Sequence, residues 1–182
     1  MIRIVSLHLT SKKIDMNSLT KKLFGLLIAP AFLLSFNIKA DRANFSGTWA
    51  LNEGKSDLGQ FANFAPRTIK VEQTNNAITI AKTAPGFDGN ETTQTETLPF
   101  DGKEVEITVF GTSKRKASVK WSDDGQTATI TFTLMLDFQG QTTEVKGTET
   151  FTLADAGKSL VSQNNSSSSF GDIAAKGVYE KK

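Results

Sequence analysis

Between Ala128 and Phe138 one side of the chain is apolar at every second position: Ala128, Ile130, Phe132, Leu134, Leu136 and Phe138. Thr129, Thr131, Thr133 and Asp137 occupy the positions between, and Met135 alone departs from the polar set. Successive side chains of an extended chain point to opposite faces, so this run predicts a strand with one dry and one wet face. A strand that long needs a partner of similar length. After the turn residues Gln139-Gly140-Gln141 the sequence supplies one, with Val145, Gly147, Phe151 and Leu153 on one face and Lys146, Thr148, Thr150 and Thr152 on the other.

Shorter runs of the same period fill the rest of the chain. Ile69 and Val71 alternate with Lys70 and Glu72, and Thr74 to Asn76 turn into Ile78 and Ile80. Val105, Ile107 and Val109 alternate with Glu104, Glu106 and Thr108; Ala117, Val119 and Trp121 alternate with Lys116, Ser118 and Lys120. Turn residues separate the runs at Pro85-Gly86, Asp88-Gly89, Asp101-Gly102, Asp123-Asp124-Gly125 and Ala156-Gly157. The pattern predicts about ten short strands in sequential order, of which Thr92 to Thr97, polar on both faces, is the least patterned. An open sheet of that size leaves a face and two edges bare, so the expected fold is all-β, an antiparallel up-and-down barrel of about 8–10 strands. The one long gap, Asn52 to Arg67, holds Gly54, Gly59 and Pro66, and leaves room for a short helix around Gln60 to Phe64.

The first forty residues follow a different rule. Lys21-Lys22 precede the apolar run Leu23 to Phe36, and a polar-then-small ending closes at Ala40. This is the layout of a secretory signal peptide. The run has 14 residues and contains Pro30, whereas a spanning helix needs about 20 apolar residues. Met16 opens a more usual n-region than Met1, which marks residues 1–15 as a candidate over-long start. Residues 41–182 are then expected to form a single exported domain, periplasmic or extracellular, monomeric and without a membrane span.

Removing the leader changes the charge. Six of the 21 basic residues and one of the 19 acidic residues lie in residues 1–40, which leaves 15 and 18, a net −3. That balance gives no footing for a nucleic-acid partner. The chain has no cysteine, and its single histidine, His8, is in the leader. Thiolate chemistry, disulfides, imidazole general acid–base work and the usual zinc ligand sets are therefore absent from the domain. No cofactor, metal site or catalytic residue is expected.

Phe45-Ser46-Gly47-Thr48-Trp49 resembles the first-strand signature of the calycin group, which comprises lipocalins, intracellular fatty-acid-binding proteins and avidins. In that group an aromatic residue and G-x-W open the first strand. The resemblance implies that Gly47 and Trp49 form the plug at the closed end of the barrel. The ending Ala175 to Lys182, AKGVYEKK, resembles the last strand of the fatty-acid-binding proteins. The longer form FSGTW-LN-x-x-KS is similar to a group of uncharacterised bacterial secreted proteins with lipocalin-like barrels. Two departures bear on function. Fatty-acid-binding proteins carry an arginine two residues before the last-strand tyrosine to hold a ligand carboxylate; Tyr179 is present here, but Gly177 stands at the arginine position. Their two lid helices have no room in the Asn52–Arg67 gap. Lipocalins stack a basic residue of the last strand on the tryptophan, and Lys176 is the residue available for that part.

Several residues are candidates for a lumen site: Ile107, Val119, Trp121, Phe132, Leu134 and Phe151 as apolar contacts, with Glu149 and Tyr179 as polar ones. Glu149 shares parity with Phe151 and Leu153, which puts a carboxylate on the inner face. A buried carboxylate must be paired, hydrated in a cavity, or close to an end. Gln163 to Phe170, QNNSSSSF, reads either as a loop or as a strand whose small hydroxyl face lines a cavity. Lys114-Arg115-Lys116 reads as a solvated turn. Glu104 and Glu106 share a face at a separation a glycosidase pair could use, but that face is the wet one. The expected function is a non-enzymatic binding protein for a small, mainly hydrophobic ligand held in the lumen. The alternative is a cell-envelope structural or protein-interaction module with a filled barrel.

Overall fold

The computed structural model describes residues 41–86, 89–138 and 140–182. The leader and cleavage point expected in residues 1–40 lie outside the described residues. Ten strands form one antiparallel sheet: β1 Gly47–Leu51, β2 Thr68–Gln73, β3 Ala77–Pro85, β4 Glu91–Pro99, β5 Val105–Val109, β6 Ser113–Trp121, β7 Thr127–Phe138, β8 Gln141–Ala154, β9 Ser159–Ser168 and β10 Gly171–Lys181. The order across the sheet is β4-β3-β2-β1-β10-β9-β8-β7-β6-β5. Each strand therefore pairs with its sequence neighbour, and β1 pairs with β10 to bring the two ends of the chain together. The barrel is nearly closed, with a seam between β4 and β5, which share no ladder. The polar run Thr92 to Thr97 lies within β4, held along its length by β3.

Register confirms the faces that alternation assigned. Ile130 lies opposite Glu149, Phe132 opposite Gly147 and Ala128 opposite Phe151. The serine-rich stretch is strand rather than loop, with Ser162, Asn164, Ser166 and Ser168 in register with Phe151, Glu149, Gly147 and Val145. The Asn52–Arg67 connection contains two single 3-10 turns, Glu53–Lys55 and Gly59–Phe61. The first is fixed by the Asn52 side chain, which accepts from the Lys55 N–H. The whole connection is tied down by Asp57, whose backbone pairs with Lys176 on the outer side of β10.

An up-and-down barrel puts alternate connections at opposite ends. The β2–β3, β4–β5, β6–β7 and β8–β9 turns mark one end, and the other five connections mark the second. At the first end the segment before β1 folds underneath, so that Phe45 is fully buried. Its ring stacks on Trp121 at 5.4 Å and meets Phe151 edge-on at 6.2 Å. Trp49 is buried beside it and donates Nε1–H to the Phe45 carbonyl at 2.9 Å. Ile69, Ile78, Ile80, Leu98, Val119, Ala128, Ile130 and Leu160 complete a sealed core. Among the described residues, that core runs from Ala43 to Tyr179.

Candidate functional site

The inner face changes character along the barrel. At the second, open end the residues that point inward are only half-buried: Ile107 on β5, Leu134 and Leu136 on β7, Val145 on β8, Asn164, Ser166 and Ser168 on β9, and Ile173 on β10. The β5–β6 corner is the exception, where Val109 and Ser113 are buried and the Ser113 hydroxyl accepts the Asp137 N–H at 3.0 Å. The mouth is lined by branched apolar chains from β5, β7, β8 and β10, and between β8 and β10 by the small hydroxyl and amide groups of β9, whose Asn-Ser face adds little bulk.

Between mouth and core lies a layer of charge. Glu149 on β8 is 4% exposed. It is ion-paired to Lys82 on β3, across the barrel, and its second oxygen accepts the Ser162 hydroxyl of β9 at 2.9 Å. Burial alone would push the Glu149 carboxyl up. Lys82, then Arg115 and the Ser162 hydroxyl, outweigh it and hold the carboxyl below its usual range. A second pair closes the seam: Arg115 on β6 reaches over the short β5 to Glu96 on β4, with Nε–Oε2 at 3.0 Å and a second guanidinium N–H donating to Oε1 at 3.3 Å. The Arg115 guanidinium also lies 4.1 Å from the Phe132 ring centre. Fork-to-carboxylate pairing and ring stacking are both things arginine does and lysine does not.

Glycines make room for this layer. A Cβ at Gly147 would sit 2.6 Å from the Asn165 carbonyl oxygen and 2.8 Å from the Phe132 ring. A Cβ at Gly177 would sit 2.6 Å from the Tyr179 ring. The ring of Tyr179 thus lies over Gly177, the place where the resemblance to fatty-acid-binding proteins would put an arginine. Tyr179 is 2% exposed, and burial, with repulsion from Glu149, pushes its phenol well above the usual value.

The residues singled out in the sequence divide between the two ends. Val119, Phe151 and Tyr179 are in the sealed part, together with Gly47 and Trp49 at the plug. Trp121 is also at the closed end, stacked on Phe45 and edge-on to Phe100 at 5.5 Å, with its Nε1 buried and without a hydrogen-bond partner among the described residues. Phe132 and Glu149 border the charged layer. Ile107 and Leu134 reach the mouth. Lys176 points out of the barrel and is exposed; the basic group over Trp49 is instead Lys181, 5.4 Å from the ring centre. Register explains the correction, since Lys181 is the residue directly opposite Trp49. Arg115 is likewise turned inward rather than solvated, because it shares parity with Ala117 and Val119. Lys82 and Glu96 are the functional residues that went unrecognised. Both extend an inner-face series, Lys82 after Ile78 and Ile80 and Glu96 before Leu98.

Fold and site together define a class of architecture: a nearly closed ten-stranded antiparallel barrel, sealed at one end, whose open mouth is floored by a layer of ion pairs. No family model matches the chain, and no curated protein matches it. Among solved structures it is similar to a zebrafish ileal bile acid-binding protein complexed with cholic acid, with a TM-score of 0.47 and 18% identity over 76% of this chain and 98% of that one.

Proposed function

We propose that the protein is an exported, non-enzymatic binding protein that takes a small amphipathic molecule into the mouth of the barrel. The observation that carries this reading is the change along the inner face from a sealed core, through a layer of paired charge, to half-buried apolar and hydroxyl groups at the open end. The apolar part of the ligand contacts Ile107, Leu134, Leu136, Val145 and Ile173. Its polar end meets the Lys82–Glu149–Ser162 and Arg115–Glu96 groups or the hydroxyl face of β9. Binding is driven by apolar burial, and the polar groups fix orientation. Export rests on the leader pattern in residues 1–40.

The filled lower half favours a second reading, a structural barrel without cargo, and one experiment separates the two. The purified protein is extracted for lipid and titrated with a lipophilic fluorophore, which is then challenged with oleate. The expected result is saturable binding, displacement by oleate, and a roughly tenfold weakening in Leu134→Trp, where an added ring fills the mouth. A protein that yields no lipid and binds no fluorophore is the filled barrel.

A further inference from the structure

On the mouth side of the sealed core, alternation gives five charged residues inward parity: Arg67, Lys82, Glu96, Arg115 and Glu149. All remaining charged residues of β2 to β9 have outward parity, Lys114, Lys116, Glu144 and Lys146 among them. In β10 only Lys181 turns inward, and it lies over Trp49 at the sealed end. Every cation of the mouth side is matched to a carboxylate. Lys82 is paired with Glu149, Arg115 grips Glu96 through two N–H groups, and Arg67 is paired with Glu53 of the β1–β2 connection. Arg115 also acts on Glu149, so that two cations together keep that buried carboxyl ionised. The floor of the mouth is thus ionic but carries no net charge.

The neutral polar groups of the same face are in the opposite condition. Asn164 and Ser166 of β9 are half-buried, and Asn164 lies in register with Glu149. Gln94 of β4 is half-buried too, in register with Lys82 and in parity with Glu96. None of these three side chains has a hydrogen-bond partner among the described residues. Each amide offers two donors and an acceptor, and the hydroxyl one donor and an acceptor. Polar groups in a partly dry site are ordinarily paired, so this capacity is what the mouth holds in reserve.

These two conditions discriminate between head groups. A carboxylate entering the mouth would meet each cation beside the carboxylate it already serves, and would leave the layer with one uncompensated negative charge. Removing a charge from water without a free counter-ion is costly, and an ammonium head group meets the same difficulty with the sign reversed. A hydroxyl, ester or amide gives up less hydration on entry and matches the amides and the hydroxyl that stand unpaired.

Resting on the binding function given above, we propose that the mouth selects amphipathic molecules with an uncharged, hydrogen-bonding head group over fatty carboxylates and other ions. Gln94, Asn164 and Ser166 receive that head group, above the neutral layer of paired charge. A carboxylate such as oleate still enters by its chain and leaves its charge in the water of the rim, so displacement by oleate reports the mouth and not its selectivity.

The test is competition for the fluorophore-loaded protein by 1-decanol and decanoate, chains of equal length, at fixed ionic strength and a pH where decanoate is ionised. In the wild type, decanol is expected to displace the fluorophore at about tenfold lower concentration than decanoate. Two variants separate selection by the layer from the greater hydration of the ion, which is the same for every protein. Lys82 and Arg115 are the more exposed members of their pairs, so a freed cation is within reach of a head group. Glu96→Gln frees Arg115 and Glu149→Gln frees Lys82, and each is expected to move the ratio of the two affinities about tenfold toward decanoate. If neither variant folds, the wild-type ratio decides. Displacement by decanoate at equal or lower concentration than decanol, or a ratio that both folded variants leave unmoved, overturns the selectivity while ligand binding stands. A protein that binds no fluorophore overturns the binding function and the selectivity with it.

Discussion

The two ends of this barrel are built from the same strands and the same alternating pattern, yet they end in opposite states. At the closed end, inward residues of β2, β3, β6, β7 and β9 such as Ile69, Ile80, Val119, Ile130 and Leu160 are fully buried. At the open end, Ile107, Leu134, Val145 and Ile173 point to the same interior and remain half-exposed. The difference lies in what comes from across the lumen. Below, Phe45 and Trp49 enter from the start of the chain and occupy the axis. Above, β9 presents only the small side chains of Asn164, Ser166 and Ser168, and the inward residues around them stay half-buried. Alternation assigns a face, whereas depth is decided by side chains remote in sequence.

The comparison is broken most directly at the plug. Trp49→Ala removes a fully buried ring from a packed end and leaves a cavity, at a cost of about 3–5 kcal/mol. Leu134→Ala removes an apolar chain already in partial contact with water, and its cost is about 1 kcal/mol or less. Equilibrium unfolding in urea measures both. Equal losses would mean that the mouth is as tightly packed as the plug, and the contrast between the ends would not hold.

The charged layer is the boundary between the two, and its contribution is pH-dependent. Lys82→Met leaves Glu149 buried with only Ser162 and the more distant Arg115 to support it. Removing one partner of such a pair costs about 3 kcal/mol, while the double variant Lys82→Met, Glu149→Leu recovers most of the loss. The Glu149 carboxyl is held below its usual value in the folded state, so the unfolded chain binds that proton more readily. The stabilisation is complete above the unfolded pKa of about 4.3 and is lost as pH falls through the lower folded value. Urea midpoints between neutral and acidic pH are expected to fall more steeply in the wild type than in the double variant. Parallel profiles would show that the pair does not set the boundary.

Much of this was legible in the sequence, and parity is the reason. Ile130, Phe132 and Glu149 fell on the inner face because each is an even number of residues from a neighbour of known face, and strand order followed from the short turns. The same rule, carried two residues further along β3, places Lys82 inside after Ile80; applied within Lys114-Arg115-Lys116, it selects Arg115 alone. Sequence could not pair them, because Lys82 and Glu149 are 67 residues apart and meet only when the sheet closes. The partner of Trp49 was hidden for the same reason. Lys181 is matched to it by the β1–β10 register, which no local motif encodes.

The smallest effect probes the rim, where sequence and stability part company. Phe110 holds φ 47° in a three-residue turn between Val109 and Ser113, with half of its surface in water. A left-handed residue with a Cβ is strained by about 1–2 kcal/mol, and asparagine relieves part of this by local hydrogen bonding. Phe110→Asn is therefore expected to raise stability by up to about 1 kcal/mol, seen as a higher urea midpoint with an unchanged slope. At the closed end the reverse holds, since its large aromatics are buried and any truncation there destabilises. If Phe110→Asn lowers the midpoint, the phenylalanine is contributing to packing, and the open end is less distinct from the closed one than its exposure implies. If the midpoint rises, Phe110 is held at the open end against its local backbone preference, and the two ends differ in strain as well as in exposure.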